Sequence, residues 1–250
     1  VHAAVFHKAR GEHPRLRDVA AWPARLIGRV GRILGRIHAL NANYHPAPGR
    51  QRFDWPSIDL PRFAAAITPA EDSMYLVNLA AHWNWIQSLP RDDPSVFGLV
   101  HGDFQSANLL VADSTATVID FDGSCYNWYL FDIAQFVGTS ILNVWSEDAA
   151  TRRLGAQRVF VEFIRGYSKE HQMKSDWFEL LPGFLRGFQL LYYFNLLANF
   201  QFNAERRKAA PHHDVVRRLV LNSDIVVDVD FRRLYEDAST RTLFGLFRTR

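Results

Sequence analysis

Between Leu99 and Asp122 the chain sets out three groups whose types and spacing suit one reaction: Asp103, Asn108 and Asp120. Asp103 follows Gly102, where the backbone can turn sharply. Asn108 stands just before the apolar run Leu109-Leu110-Val111. Asp120 closes the run Val118-Ile119, after a turn built on Asp113-Ser114-Thr115. Two short strands joined by that turn fold back on each other, so Asn108 and Asp120 come to lie at one edge. Phosphoryl transfer needs a carboxylate to accept or orient a hydroxyl proton, and oxygen ligands for the magnesium on the phosphates. Mg²⁺ takes few protein oxygens and keeps its waters and phosphate oxygens. Asp120 and Asn108 offer one carboxylate and one amide oxygen, which leaves Asp103 to face an acceptor hydroxyl.

The order Asp, four residues, Asn, then Asp-Phe matches the catalytic loop of protein kinases followed by their metal-binding Asp. The loop here begins His101-Gly102-Asp103 in place of His-Arg-Asp. With Ile119-Asp120-Phe121 and a later Asp132, it resembles the aminoglycoside phosphotransferase and choline kinase superfamily. These are protein-kinase-like enzymes that mostly phosphorylate small molecules. Ser124-Cys125-Tyr126-Asn127 through Phe131-Asp132-Ile133 is similar to choline and ethanolamine kinases. The resemblance implies that Asp103 is the catalytic base, that Asn108 and Asp120 bind Mg²⁺, and that Asp132 braces the loop, with His101 supporting it. Asp122 stands where a protein kinase has the Gly of Asp-Phe-Gly, and it either serves the acceptor or metal or bonds the following loop. The resemblance also makes residues 1–11 the last strand of a nucleotide lobe plus its hinge, with adenine bonding near Phe6, His7 and Lys8. The residues themselves fit an ordinary edge strand equally well.

Several elements must position these groups. A helix is expected from a cap at Asp18 to about Asn41, with Trp22, Leu26, Val30, Ile33, Leu34, Ile37 and Leu40 on its buried face. Arg25, Arg29, Arg32 and Arg36 recur on a solvated face, and His38 reads as a hydrogen-bonded structural residue. Residues 42–69 read as a long loop that either covers the acceptor site or wraps the core. Glu71 to Leu89 reads as a helix burying Met74, Val77, Ala81, Trp85 and Leu89. Helices are expected over Tyr129–Trp145 and from Glu147 to about Lys169. A third stretch opens at Ser175-Asp176, is broken at Pro182-Gly183, and continues from Phe184 to Asn203. Gln189, Tyr192, Tyr193 and Asn195 on that last helix are candidates for an acceptor pocket, with aromatic core packing as the competing role. His212-His213-Asp214 is read as an exposed basic segment rather than a metal site. A short helix over Val215–Leu221 and a mixed basic tail from Phe231 complete the chain.

Composition bounds the reading. At 250 residues, 48% of them hydrophobic and with 19 Phe and 7 Trp, the chain can bury a sizeable core. A formal charge of +3 with interspersed signs argues against a nucleic-acid polymer or a membrane surface as partner. The one cysteine, Cys125, excludes an internal disulfide and fits a cytoplasmic setting, as a bystander thiol. The uncharged stretch from Gly187 to Gln201 carries three Asn and Gln side chains besides the final Gln201, which suits a buried helix better than lipid. No Gly-rich phosphate loop, and no strand Lys paired with a helix Glu, occurs in the chain, so it is expected to be a fragment without its first lobe.

The expected fold is therefore α+β and mostly helical: the C-terminal lobe of a protein-kinase-like fold, with residues 12–250 as the catalytic and acceptor-binding lobe around a small β-hairpin. The expected activity is transfer of the γ-phosphoryl group of ATP or GTP to a small-molecule hydroxyl. Aminoglycosides, choline, ethanolamine, homoserine and other amino alcohols all remain open as acceptors. A protein Ser/Thr kinase, a pseudokinase without turnover and, last, a metal-dependent hydrolase using His101 and Asp103 are the rivals. The sequence is silent on oligomeric state.

Overall fold

In the computed structural model, residues 8–14, 22–49, 52–112, 115–142, 148–210, 212–224 and 227–246 are described, with side chains to residue 239. Asp18, Phe6, His7 and the tip of the Asp113-Ser114 turn lie outside them. Among the described residues the chain is mostly helical, and four short strands form two antiparallel pairs.

Helix α1 (Ala24–Asn41) begins directly after Pro23, whose fixed φ suits a helix entry. It packs lengthwise on α5 (Ala149–Tyr167). Its buried face is Ile27, Val30, Gly31, Leu34, Gly35 and His38, rotated from the expected stripe, and Leu40 is 66% exposed. The reason is glycine. A Cβ on Gly31 would lie 2.0 Å from the Phe163 carbonyl oxygen, and one on Gly166 would lie 1.7 Å from that of Gly28. The two backbones touch where a hydropathy pattern sees only small residues.

The 42–69 stretch is not all loop. A 3-10 turn covers Trp55–Ser57, and α2 (Leu60–Ala65) starts at Asp59, whose carboxylate accepts from the Arg62 N–H at 3.2 Å. Helix α3 (Ser73–Gln87) buries Tyr75, Leu79, Trp83 and Ile86, while Met74 and Val77 of the expected face are exposed. This helix is apolar on all sides, so its pattern allows several phases. Its neighbours α6 (Leu181–Asn199) and α8 (His213–Asn222) select one: the Tyr75 hydroxyl donates to Leu190 O, and the Asn78 amide to Val220 O.

Strand β1 (Phe97–Val100) pairs with β4 (Cys125–Trp128), and β2 (Leu109–Ala112) forms a hairpin with β3 (Thr115–Val118). β4 was not anticipated as a strand; it is identified only by its long-range partner. Glu12 bridges Val111, while Lys8–Gly11 are irregular. Helix α4 (Tyr129–Ser140) is buried nearly all round and ends earlier than expected. Asp148 caps α5 through the Ala150 and Thr151 N–H groups. Pro182 does not interrupt α6 (Leu181–Asn199); it occupies the first turn, where a missing N–H costs nothing. Helices α7 (Ala204–Lys208), α8 (His213–Asn222) and α9 (Phe231–Leu246) follow. His213, expected to be exposed, is buried. No described helix is long and apolar enough to cross a membrane.

Candidate active site

The loop from His101 to Asn108 is fixed by groups beneath it. Asp132, in the first turn of α4, is fully buried. Its Oδ2 accepts from the His101 N–H at 2.7 Å and its Oδ1 from the Gly102 N–H at 2.9 Å. His38 of α1 meets Oδ2 through Nε2 at 3.1 Å, and its Nδ1 faces the Tyr167 hydroxyl at 2.9 Å. Burial holds the His38 pKa below its ordinary value, against the opposing pull of Asp132. The neutral ring therefore donates from Nε2 to the carboxylate and accepts from Tyr167 at Nδ1.

Gly102 adopts φ +84°, and a Cβ there would lie 2.0 Å from the Gly123 carbonyl oxygen. Only glycine lets the loop press against the segment after β3. His101 ties the same two segments: its Nδ1 accepts from the Asp103 N–H at 3.2 Å, which leaves Nε2–H to donate to Ile119 O at 3.1 Å. Gln135, one helical turn beyond Asp132, donates to Gly102 O at 2.8 Å.

Asp103 is thereby presented at a cleft, with both carboxylate oxygens engaged by amides. Gln105 Nε2 donates to Oδ1 at 2.8 Å, and Asn108 Nδ2 to Oδ2 at 2.8 Å. Asn108 Nδ2 also donates to Asp103 O at 2.8 Å, which turns its Oδ1 away from Asp103. The Ile119 N–H donates to Asn108 O at 3.0 Å, extending the hairpin ladder by one residue. Asp120 stands immediately beyond that pair, exposed, in the left-handed conformation with φ +65°. A non-glycine residue held there is uncommon and costs about 1 kcal/mol or more. Asp122 is exposed, and its backbone carbonyl accepts from Arg52 Nη1 at 3.2 Å. Lys8 is exposed in the irregular leading segment.

The cleft in front of Asp103 has a volume of ≈ 470 Å³, within the range of small-molecule sites. Phe53 and Trp55 from the 42–69 stretch, Phe131, and Phe188, Tyr192 and Asn195 of α6 line it. Of the four α6 candidates, Tyr192 and Asn195 face the cleft. Gln189 and Tyr193 are buried on the opposite side, where the Tyr193 hydroxyl bonds Asp72. Cys125 also lines the cleft; burial pushes its thiol up to about 12, so it stays protonated. Gln105 and Gln135 were missed as site residues. Gln135 carried a signal, since i and i+3 on one helix share a face.

Among the described residues no group of three or more His, Cys, Asp or Glu is gathered as a metal cluster. The candidate donors are the Asn108 amide oxygen and the Asp120 carboxylate, hard oxygens of the kind Mg²⁺ and Ca²⁺ prefer.

Comparison with known proteins bears on this geometry. A family model described as the phosphotransferase enzyme family (APH) matches residues 2–172. Amicoumacin kinase of Bacillus subtilis (strain 168) is 24% identical over 234 residues, covering 92% of this chain and 67% of that protein. A solved amicoumacin kinase in complex with AMP-PNP, Ca²⁺ and Ami superposes with TM-score 0.75 at 23% identity, covering 91% of this chain and 66% of that one. A microcompartment-associated aminopropanol kinase gives TM-score 0.59 at 22% identity, over 81% of this chain and 64% of the other. The chain thus spans about two thirds of the length of these relatives.

Proposed function

This chain belongs to the phosphotransferase enzyme family, and from that premise we propose that it forms the acceptor-facing part of a small-molecule kinase, moving the γ-phosphoryl group of ATP or GTP to a hydroxyl. The observation that carries the reading is the Asp103 carboxylate, held at the cleft by Gln105 and Asn108 above the buried Asp132 brace. A carboxylate so oriented accepts the proton of an incoming hydroxyl as the new O–P bond forms, acting as the general base. The two amide donors occupy lone pairs that would otherwise let the carboxylate swing. Asn108 Oδ1 and Asp120 would hold the metal, for which we propose Mg²⁺; when bound, it screens phosphate charge. Asp122, one exposed carboxylate further on, adds negative charge beside them.

The acceptor is a small molecule on this reading. The cleft is of that size, its walls are aromatic and amide side chains, and the named relatives are kinases for amicoumacin and aminopropanol. Adenine contacts near Phe6, His7 and Lys8, a preceding nucleotide lobe and a cytoplasmic location complete the proposal. In the complete natural protein, Asp103→Asn should lower turnover by about a thousandfold while AMP-PNP affinity stays at the wild-type level. A panel of hydroxylated amines assayed by ADP release supplies the acceptor. Wild-type turnover by the variant would refute the role of Asp103.

A further inference from the structure

A second cavity, of ≈ 360 Å³, opens between the 3-10 turn Ala70–Asp72, α7 and α8 and shares no lining residue with the cleft. Arg207 is its unusual member. The residue is only 7% exposed, yet its Nε is fully buried without a hydrogen-bond partner. A buried guanidinium ordinarily sits against a carboxylate or phosphate, because burial otherwise leaves its charge uncompensated.

Of the acids on the same cavity, one is already paired with a cation, while Glu71 and Asp214 face solvent and oppose an anion from the rim. Asp72 is held by Arg217 at 2.5 Å and by the Tyr193 hydroxyl. The Asp214 side chain is 92% exposed and meets His213 Nδ1 at 2.9 Å. Glu71 is exposed. Lys208, also exposed, adds a second cation next to Arg207. Helix α8 begins in the same cavity, and its N-cap residue, His212, is left-handed with no side-chain cap. The His213 N–H already donates to Ala210 O at 3.2 Å; the N–H groups of the turn that follows favour an anion.

We propose that this cavity binds a compact oxyanion of the phosphate class, with Arg207 as its principal partner, Lys208 adding charge, and the start of α8 supplying N–H donors. The site is separate from the cleft that Asp103 lines.

The test uses the complete natural protein saturated with AMP-PNP, so that phosphate cannot report on the nucleotide site. Inorganic phosphate is titrated at constant ionic strength set by chloride, with calorimetry and the thermal midpoint as readouts. Wild type should give a saturable heat and a rise in midpoint that chloride does not. Arg207→Met should weaken phosphate by about tenfold or more, the loss of a charge-assisted bond. Lys208→Met, an exposed change that leaves packing alone, should weaken it several-fold, and Glu71→Gln should tighten it. Should Arg207→Met fail to fold, the Lys208 and Glu71 variants decide on their own. The proposal is overturned if phosphate acts no differently from chloride, or if neither of those two variants moves its affinity. Neither result bears on Asp103.

Discussion

At the scale of single residues, the site depends on two kinds of restraint that differ in how they fail. Gly102 is a backbone restraint: with φ +84° and a Cβ position 2.0 Å from Gly123 O, Gly102→Ala must push two segments apart. We expect a loss of about 2 kcal/mol or more in stability, and about a hundredfold in turnover as Asp103 moves off its acceptor. Urea unfolding and steady-state kinetics check the two separately. Gln105 is a side-chain restraint on one carboxylate oxygen only. Gln105→Ala should leave the fold intact and lower kcat by about tenfold with KM little changed, the signature of an orienting bond. Of these two restraints the turn at Gly102 is legible in the sequence, and the Gln105 bond is not. Asp103, Asn108 and Asp120 sit within one stretch of the chain, where turn chemistry and hydrogen-bond reach are short-range. The Asp132 brace also came from the sequence, but only through the family resemblance; its carboxylate lies some thirty residues from the amides it holds.

At the scale of elements, α1 and α5 carry the buried side of the site, because His38 stands on one and Tyr167 on the other. Their approach is set by glycine. Gly166→Ala places a methyl 1.7 Å from Gly28 O, and we expect it to cost about 3 kcal/mol in stability, read as a lowered unfolding midpoint. The helix faces were the least legible feature. On α1 the contact runs through Gly31 and Gly35, which hydropathy scores as neutral, so the expected stripe ended on the exposed Leu40. On α3 apolar residues occupy every side, and only packing against α6 and α8 separates Tyr75 and Leu79 from Met74 and Val77. β4 shows the same dependence: Cys125–Trp128 is a strand because Phe97–Val100 pairs with it.

At the scale of the whole molecule, histidines that are buried (His38, His171) or half-buried (His82) shape the response to acid. Burial, aided by the Arg186 charge, lowers His82 to about 4, and burial likewise lowers His38 and His171. In the unfolded chain these rings titrate near 6.5. Below that pH the unfolded state binds protons that the folded state refuses, so stability is fullest above 6.5 and falls as pH drops toward about 4. Thermal unfolding followed across that range should show a declining midpoint, and His82→Gln should flatten part of the slope.

The sequence by itself determined the stretch that carries Asp103, Asn108 and Asp120, the predominance of helix and the family, because each rests on residue types at short, fixed separations. Tertiary structure decided which helix faces are core, which α6 side chains reach the cleft, that Gln105 and Gln135 serve the loop, and that Arg207 lies buried beside a separate cavity. Those outcomes depend on which surface each element finds opposite it, and on how closely two backbones can approach, which no local pattern of residues encodes.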